Sequence, residues 1–165
     1  KPSCPERLQT HDKRIPLAIP EVLADIERLQ SDMNEDVAGY RLIGRRNVRD
    51  NNSWMHNHRR LVKGKDRCQL LMHPDDVAKE GWNEGMQVTI TSRVGSISAE
   101  LMPSTEVMPG VISLPHGYGH GLEGTRSKVA NSHAGVSCND VTDEQFLDQL
   151  SGNAAVNGVP VQLSA

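Results

Sequence analysis

Gln87-Val88-Thr89-Ile90-Thr91-Ser92-Arg93-Val94-Gly95-Ser96-Ile97-Ser98-Ala99-Glu100-Leu101 decides the fold class. Val88 and Ile90 alternate with Thr89 and Thr91, and after Arg93-Val94-Gly95-Ser96 the alternation resumes in Ile97, Ala99 and Leu101. A period of two places those apolar residues on one face of two paired strands, so the stretch is a β-hairpin with one side to bury. Further short apolar runs lie on both sides of it. Tyr40 to Gly44 ends in glycine, Cys68 to Met72 reads as a buried strand, and Val111, Ile112 and Leu114 follow a Pro109-Gly110 break. Six or seven short strands without regular intervening helices favour a closed, mostly β barrel over a doubly wound α/β sheet.

Three helices are expected around these strands. Val22, Leu23, Ile26 and Leu29 recur at helical spacing after Pro20, giving a short helix to about Gln30. The acidic stretch Asp32 to Asp36 then leads into the first strand. Pro74 to Lys79 forms one to two turns closed by Gly81. Thr142 and Gln145 stand at capping-box spacing before Phe146, Leu147 and Leu150, with Gly152 placed to stop a last helix. Asn157-Gly158 between Ala155-Val156 and Val159 to Leu163 is a strong hairpin signal. Residues 1–39 read as a linker and approach helix from a preceding domain, and 40–165 as the barrel.

Composition narrows the function classes. At 165 residues the chain fits one domain with a trailing arm, and five aromatic residues leave Val, Ile, Leu, Met and Ala to fill the core. A net charge of −3 gives no general basic footprint for nucleic acid. Cys4, Cys68 and Cys138 are odd in number and widely spaced, which argues against a disulfide framework and a zinc knuckle and for a reducing, cytoplasmic setting. No apolar run approaches the roughly 20 residues of a membrane span. Lys1 is not a natural start, so the chain is expected to be a piece of a longer protein.

Three segments can carry chemistry. The first, Gly44-Arg45-Arg46-Asn47-Val48-Arg49-Asp50-Asn51-Asn52-Ser53-Trp54-Met55-His56-Asn57, follows a strand. Its arginines offer rigid forks of donors to phosphate or heteroaromatic edges, or else the loop is a solvated surface. In the second, Pro115 to Gly121, glycines let the main chain approach a ligand and present N–H groups, or make a plain surface turn. His116 and His120 raise a metal reading that lacks a fixed third ligand. The third, Ser137 to Asp143, sets Asn139 and Asp140 ahead of the expected helix, where they can meet a base or pterin edge or merely cap. Cys138 is read as a small buried residue, since nothing in sequence supplies a base.

Taken in order, these pieces resemble the molybdopterin dinucleotide-binding domain that closes the catalytic subunit of the dimethyl sulfoxide reductase superfamily. The strand into Gly44-Arg45-Arg46, Asn52-Ser53-Trp54-Met55-His56-Asn57, His73-Pro74-Asp75-Asp76-Val77-Ala78 and Pro109-Gly110-Val111 carry the likeness. So do the His116-Gly117 loop, Asn139-Asp140-Val141-Thr142, Ser151-Gly152-Asn153 and Gly158-Val159-Pro160-Val161, which extends it over residues 20–163. The resemblance implies a double-psi β-barrel that grips part of a bis(molybdopterin guanine dinucleotide) bearing molybdenum or tungsten. It implies Gly44, Arg45 and Arg46 as phosphate or pterin contacts and Asn52, Ser53 and Trp54 as pterin-side contacts, with His116, Gly117 and Asn139 completing the cleft.

The cysteine cluster for iron and sulfur and the metal's protein ligand, usual in whole enzymes of that family, have no counterpart here. The resemblance therefore implies a domain without turnover of its own and without a catalytic or metal-ligating residue, partnered by the other domains of a formate dehydrogenase-like or nitrate reductase-like oxidoreductase. Any iron–sulfur cluster belongs upstream, and neither nucleic acid nor a membrane segment enters. Two other classes compete with it. One is a stand-alone double-psi barrel used for protein recognition, as in some ATPases. The other is a small self-processing decarboxylase of the same barrel shape, which would need a self-processing serine, and the strand and loop order offers no Gly-Ser at a fitting site.

Overall fold

The computed structural model describes residues 3–33 and 39–165. By its contacts the chain forms two units, one of residues 1–36 with 149–152 and one of residues 37–148 with 153–165. In the first unit the expected single helix is two, α1 (Pro20–Ala24) and α2 (Ile26–Met33), with α1 opened by proline at its first position. The break falls at Asp25, whose carboxylate takes the Arg28 guanidinium at 2.6 Å while Arg28 also reaches Asp32 at 2.8 Å. Asp32 thus belongs to α2, whereas the rest of the acidic stretch, residues 34–36, lies outside the described residues.

The second unit is a closed six-stranded barrel in the order β1-β5-β2-β4-β3-β6. Its strands are β1 (Tyr40–Arg45), β2 (Gln69–Met72), β3 (Gln87–Thr91), β4 (Ser96–Pro103), β5 (Val111–Pro115) and β6 (Val159–Ser164). Two parallel pairs, β1 with β5 and β2 with β4, are joined by antiparallel neighbours. This is the double-psi barrel that the resemblance implied. The alternation read in the hairpin sets the interior, because Val88 and Ile90 of β3 and Ile97, Ala99 and Leu101 of β4 are all buried. Leu42, Leu70, Met72, Ile112, Leu114, Val159 and Val161 fill the remaining interior from the other four strands. Closure leaves no free sheet edge, and one apolar residue per two strand positions suffices for a core this poor in aromatics.

Around the barrel, α3 (Pro74–Glu80) forms as expected, with His73 Nδ1 accepting from the Asp75 N–H at its start and Gly81 at φ 71° ending it. Asp76, buried on α3, accepts from the Gly110 N–H at 2.7 Å and so fixes the turn that launches β5. Two expectations fail at the C-terminal end. No helix follows Thr142; a 3-10 turn, Cys138–Val141, precedes it, and Thr142 Oγ1 donates backwards to the Cys138 carbonyl instead of accepting from the next turn. Asp143 takes over the capping bond from Gln145 N–H and is clamped by Arg93 at 2.7 Å, and Leu147 bridges Ala154 instead of starting a helical turn. Asn157-Gly158 makes no local hairpin either. Ala155-Val156 forms no strand, and β6 pairs with β1 and β3 far along the chain. A short helix that the sequence reading lacked, α4 (Lys128–Asn131), lies beyond the glycine-rich loop.

Candidate functional site

The parallel register of β1 and β5 builds the site. Gly44 lies opposite Leu114 and Arg45 opposite Pro115, so both strands end at one rim and release their loops side by side. The His116 N–H continues the ladder by donating to the Arg45 carbonyl at 3.0 Å. The start of β6 arrives at the same rim. Gly158 N–H donates to the Leu42 carbonyl, and Asn157 Oδ1 accepts from the Gly44 N–H, both at 2.8 Å. Asn157-Gly158 therefore closes the barrel where a hairpin was expected.

Gly44 is a packing requirement. A Cβ there would lie 2.6 Å from His116 Cε1, so the imidazole sits directly against the strand. On its other side His116 Nδ1 lies 3.6 Å from Cys138 Sγ, and His116, Cys138, Asn139 and Thr142 line one small pocket with Leu42 and Gly44. Burial pushes the Cys138 thiol up, so it stays protonated beside the imidazole.

The loop after β1 reaches this rim by a tight turn. The Asn47 carbonyl accepts from both Asp50 and Asn51 N–H groups, and Asn51 and Asn52 take φ of 43° and 61°. Asparagine tolerates that left-handed region better than most residues, which accounts for the Asn-Asn pair. The turn lays Asn52 and Ser53 against Gly117, itself at φ 88°, where a Cβ would clash with the Asn52 carbonyl and stand 2.9 Å from the Ser53 nitrogen. Six of the nine expected residues thus converge, namely Gly44, Asn52, Ser53, His116, Gly117 and Asn139.

The other three separate. Arg45 turns inward and spends its guanidinium on main-chain carbonyls, those of Ser113 at 2.6 Å, Gln69 at 2.7 Å and Arg67 at 3.2 Å. It ties the first loop to β5 and to the entry of β2. Arg46 and Arg49 are exposed, with no side-chain hydrogen bond or ion pair among the described residues. Trp54 is 82% exposed.

Behind the rim lies a buried polar cluster that the sequence reading missed. Asp50, 1% exposed, accepts from Arg67 Nη2 at 2.7 Å and from the Tyr118 hydroxyl at 3.3 Å. Burial and the Asp50 charge push the Tyr118 phenol up to about 12, so it remains a donor. His56, equally buried, shares a hydrogen bond between its Nδ1 and His120 Nε2 at 2.8 Å and packs tilted against the Tyr118 ring, centroids 4.3 Å apart. Its Nε2 lies 3.5 Å from Asp50 Oδ1, while His133 packs edge-on at 6.1 Å. Burial holds His56 and His120 below the ordinary histidine range. His116 and His120 thus face different partners, His116 the Gly44 strand and His120 this cluster. The only sequence signal for the cluster was the presence of Asp50 and His56 inside an otherwise exposed loop.

Comparison with known proteins agrees with the geometry. Residues 40–160 match the family model described as "Molydopterin dinucleotide binding domain", and the chain belongs to that family. It is 28% identical over 121 residues to a tetrathionate reductase subunit of Salmonella typhimurium, covering 63% of this chain and 12% of that protein. It is 30% identical over 113 residues to the molybdopterin-containing subunit of the arsenate respiratory reductase of Chrysiogenes arsenatis, covering 66% of this chain and 13% of that protein. The chain therefore spans about an eighth of the length of these relatives, which are reductases of tetrathionate and arsenate. The acetylene hydratase of Pelobacter acetylenicus shares the fold, with a TM-score of 0.63 at 19% identity over 91% of this chain and 20% of that one. No helix among the described residues is long and apolar enough to cross a membrane.

Proposed function

We propose that this rim holds part of a bis(molybdopterin guanine dinucleotide) within the catalytic subunit of a molybdenum or tungsten oxidoreductase, of which the chain is the C-terminal domain. The convergence of Gly44, His116, Gly117, Asn52 and Ser53 where two parallel strands end carries the reading. The donor chemistry suits such a group. Arg46 and Arg49 offer free guanidinium forks to phosphate, Asn52 and Asn139 offer amide edges to a pterin, and the exposed Trp54 ring offers a stacking face. Arg45, engaged by three carbonyls, acts by bracing the loop.

When bound, the cofactor supplies the redox chemistry of its metal. In this reading the chain's own residues bind, orient and exclude water, and turnover belongs to the whole subunit. Residues 1–39 serve as the approach from a preceding domain, and any iron–sulfur cluster belongs to other parts of the subunit. The three free cysteines suit a reducing compartment.

The test is cofactor content of the full-length parent protein carrying Arg46→Ala with Arg49→Ala. Both side chains are exposed and unbonded, so folding should be preserved while bound metal and releasable guanine nucleotide fall. Wild-type content of both in a stable variant would overturn the assignment.

A further inference from the structure

The first rim loop is joined to the second by the bond of the Tyr118 hydroxyl to Asp50 at 3.3 Å and by the shorter contact of His56 Nδ1 with His120 Nε2 at 2.8 Å. The phenol keeps its proton in mild acid, so its bond is indifferent to such a change. The histidine contact is of another kind. Between two imidazoles a hydrogen bond needs one nitrogen that carries a proton and one that does not.

The surroundings set how many protons the pair can hold. His56 Nε2 is buried with no hydrogen-bond partner among the described residues, and Asp50 Oδ1 lies 3.5 Å from it. A first added proton therefore finds a carboxylate on the far side of the ring, while Nδ1 donates to His120 Nε2 and the contact survives. A second has no such place. His120 faces His56 and His133, and only the Gly117 main chain favours its charge. Arg67 occupies Asp50 from the entry of β2, Arg45 feels the same carboxylate, and His133 Nε2 is buried without a partner. With both rings charged, N–H meets N–H at 2.8 Å and attraction becomes repulsion. Burial holds both histidines below their ordinary range, so the contact is closed near neutrality. A cleft of about 130 Å³, lined in part by Lys65, Asp66, Arg67, Tyr118 and His133, gives water and protons a way to the flank of the cluster.

We propose that the His56–His120 contact is an acid-released latch, which locks the two rim loops together while the pair holds at most one added proton and frees them when both imidazoles are charged, with the barrel still folded. The main chain carries the release to the rim. His56 N–H donates to the Ser53 carbonyl at 3.1 Å, and Gly119 and His120 N–H groups both donate to the Ala134 carbonyl at 2.8 and 3.2 Å. Ser53 and Gly117, which meet at the rim, each stand one such turn before the histidine of their own loop. The latch does not depend on what the rim binds.

Amide hydrogen exchange of the full-length parent protein, read by mass spectrometry from about pH 7.5 to about pH 5 and corrected for intrinsic exchange rates, tests it. Opening of residues 50–57 and 117–121 should rise together, by about tenfold per pH unit for each proton taken up, while residues 87–101 and 111–115 stay protected. His120→Gln, whose amide hydrogen-bonds without titrating, should flatten that dependence. His58→Gln, which alters an exposed histidine of the same segment, should leave it unchanged. Opening of the two loops that changes less than about twofold over the range would overturn the latch. So would loss of protection shared equally by the barrel strands, which is ordinary acid unfolding, or a full pH response in His120→Gln. If that variant does not fold, the wild-type comparison of loops with barrel decides.

Discussion

Replacing Gly117 by alanine tests whether the two loops of the rim are truly locked together. Two terms oppose the added methyl. Its backbone, at φ 88°, is a conformation that costs an L-residue about 1–2 kcal/mol. The Cβ would also collide with the Asn52 carbonyl and stand 2.9 Å from the Ser53 nitrogen, main-chain atoms that cannot swing aside, so overpacking adds about 1–3 kcal/mol. The total, about 2–5 kcal/mol, corresponds in a domain of this size to a melting temperature lowered by roughly 5–15 °C. Gly124→Ala isolates the first term, because Gly124 has φ 86° and nothing within 4 Å of a new Cβ. Gly121→Ala removes both, as its Cβ would merely touch the Ala134 methyl at 3.4 Å with no positive φ. Calorimetry should therefore rank the losses as Gly117, then Gly124, then Gly121 near zero, with amide shifts at Asn52 and Ser53 only in the first. A Gly117→Ala protein melting within about 2 °C of Gly124→Ala would refute the contact.

Other perturbations follow from the buried cluster and the inward arginine. Asp50→Ala leaves the Arg67 guanidinium and the Tyr118 hydroxyl without their acceptor, and because Arg67 keeps some solvent the loss should fall at about 2–3 kcal/mol in urea unfolding; a loss below about 1 kcal/mol would show that water replaces the carboxylate. His56 and His120 bind protons less readily folded than unfolded, so unfolding takes up protons, and stability is complete above about pH 6.5 and declines as the pH falls below it. His56 contributes a slope of at most about 1.4 kcal/mol per pH unit, which His56→Gln should remove; an unaltered slope in that variant would contradict the assignment. Arg45→Lys, which replaces a planar fork serving three carbonyls by a single ammonium, should lower stability by about 1–3 kcal/mol, whereas Arg46→Ala should leave the melting temperature unmoved. Equal melting temperatures for those two variants would erase the distinction between brace and free contact.

The hairpin of β3 and β4 was legible because a strand's period of two is written directly in its residues, and Val88, Ile90, Ile97, Ala99 and Leu101 all face the core. Proline and glycine marked the ends of α3 for an equally local reason. The Thr142 capping signal misled because tertiary partners overrode it. Asp143 is held by Arg93 from the β3–β4 turn, and that clamp keeps its carboxyl down at about 2. Asn157-Gly158 misled in a similar way, its turn residues being used to meet β1 more than a hundred positions earlier. The site was half legible. Glycines and asparagines announced a close approach, but the inward path of Arg45 and the burial of Asp50 and His56 depend on strands distant in sequence.

A site made of loops needs something other than the loops to hold it, and the barrel answers that need in two layers. The parallel register of β1 and β5 fixes where both loops begin, to within one ladder bond between Arg45 and His116. The buried cluster then fixes where they go. Asp50 and His56 from the first loop meet Tyr118 and His120 from the second, and Arg67 draws in the entry of β2. A buried charge pair adds little net stability over an apolar contact, but it admits few alternative geometries, since any displacement leaves a carboxylate or guanidinium without its partner. The polar interior behind the rim therefore serves placement, keeping Asn52, Ser53 and Gly117 in register while Arg46 and Arg49 stay exposed.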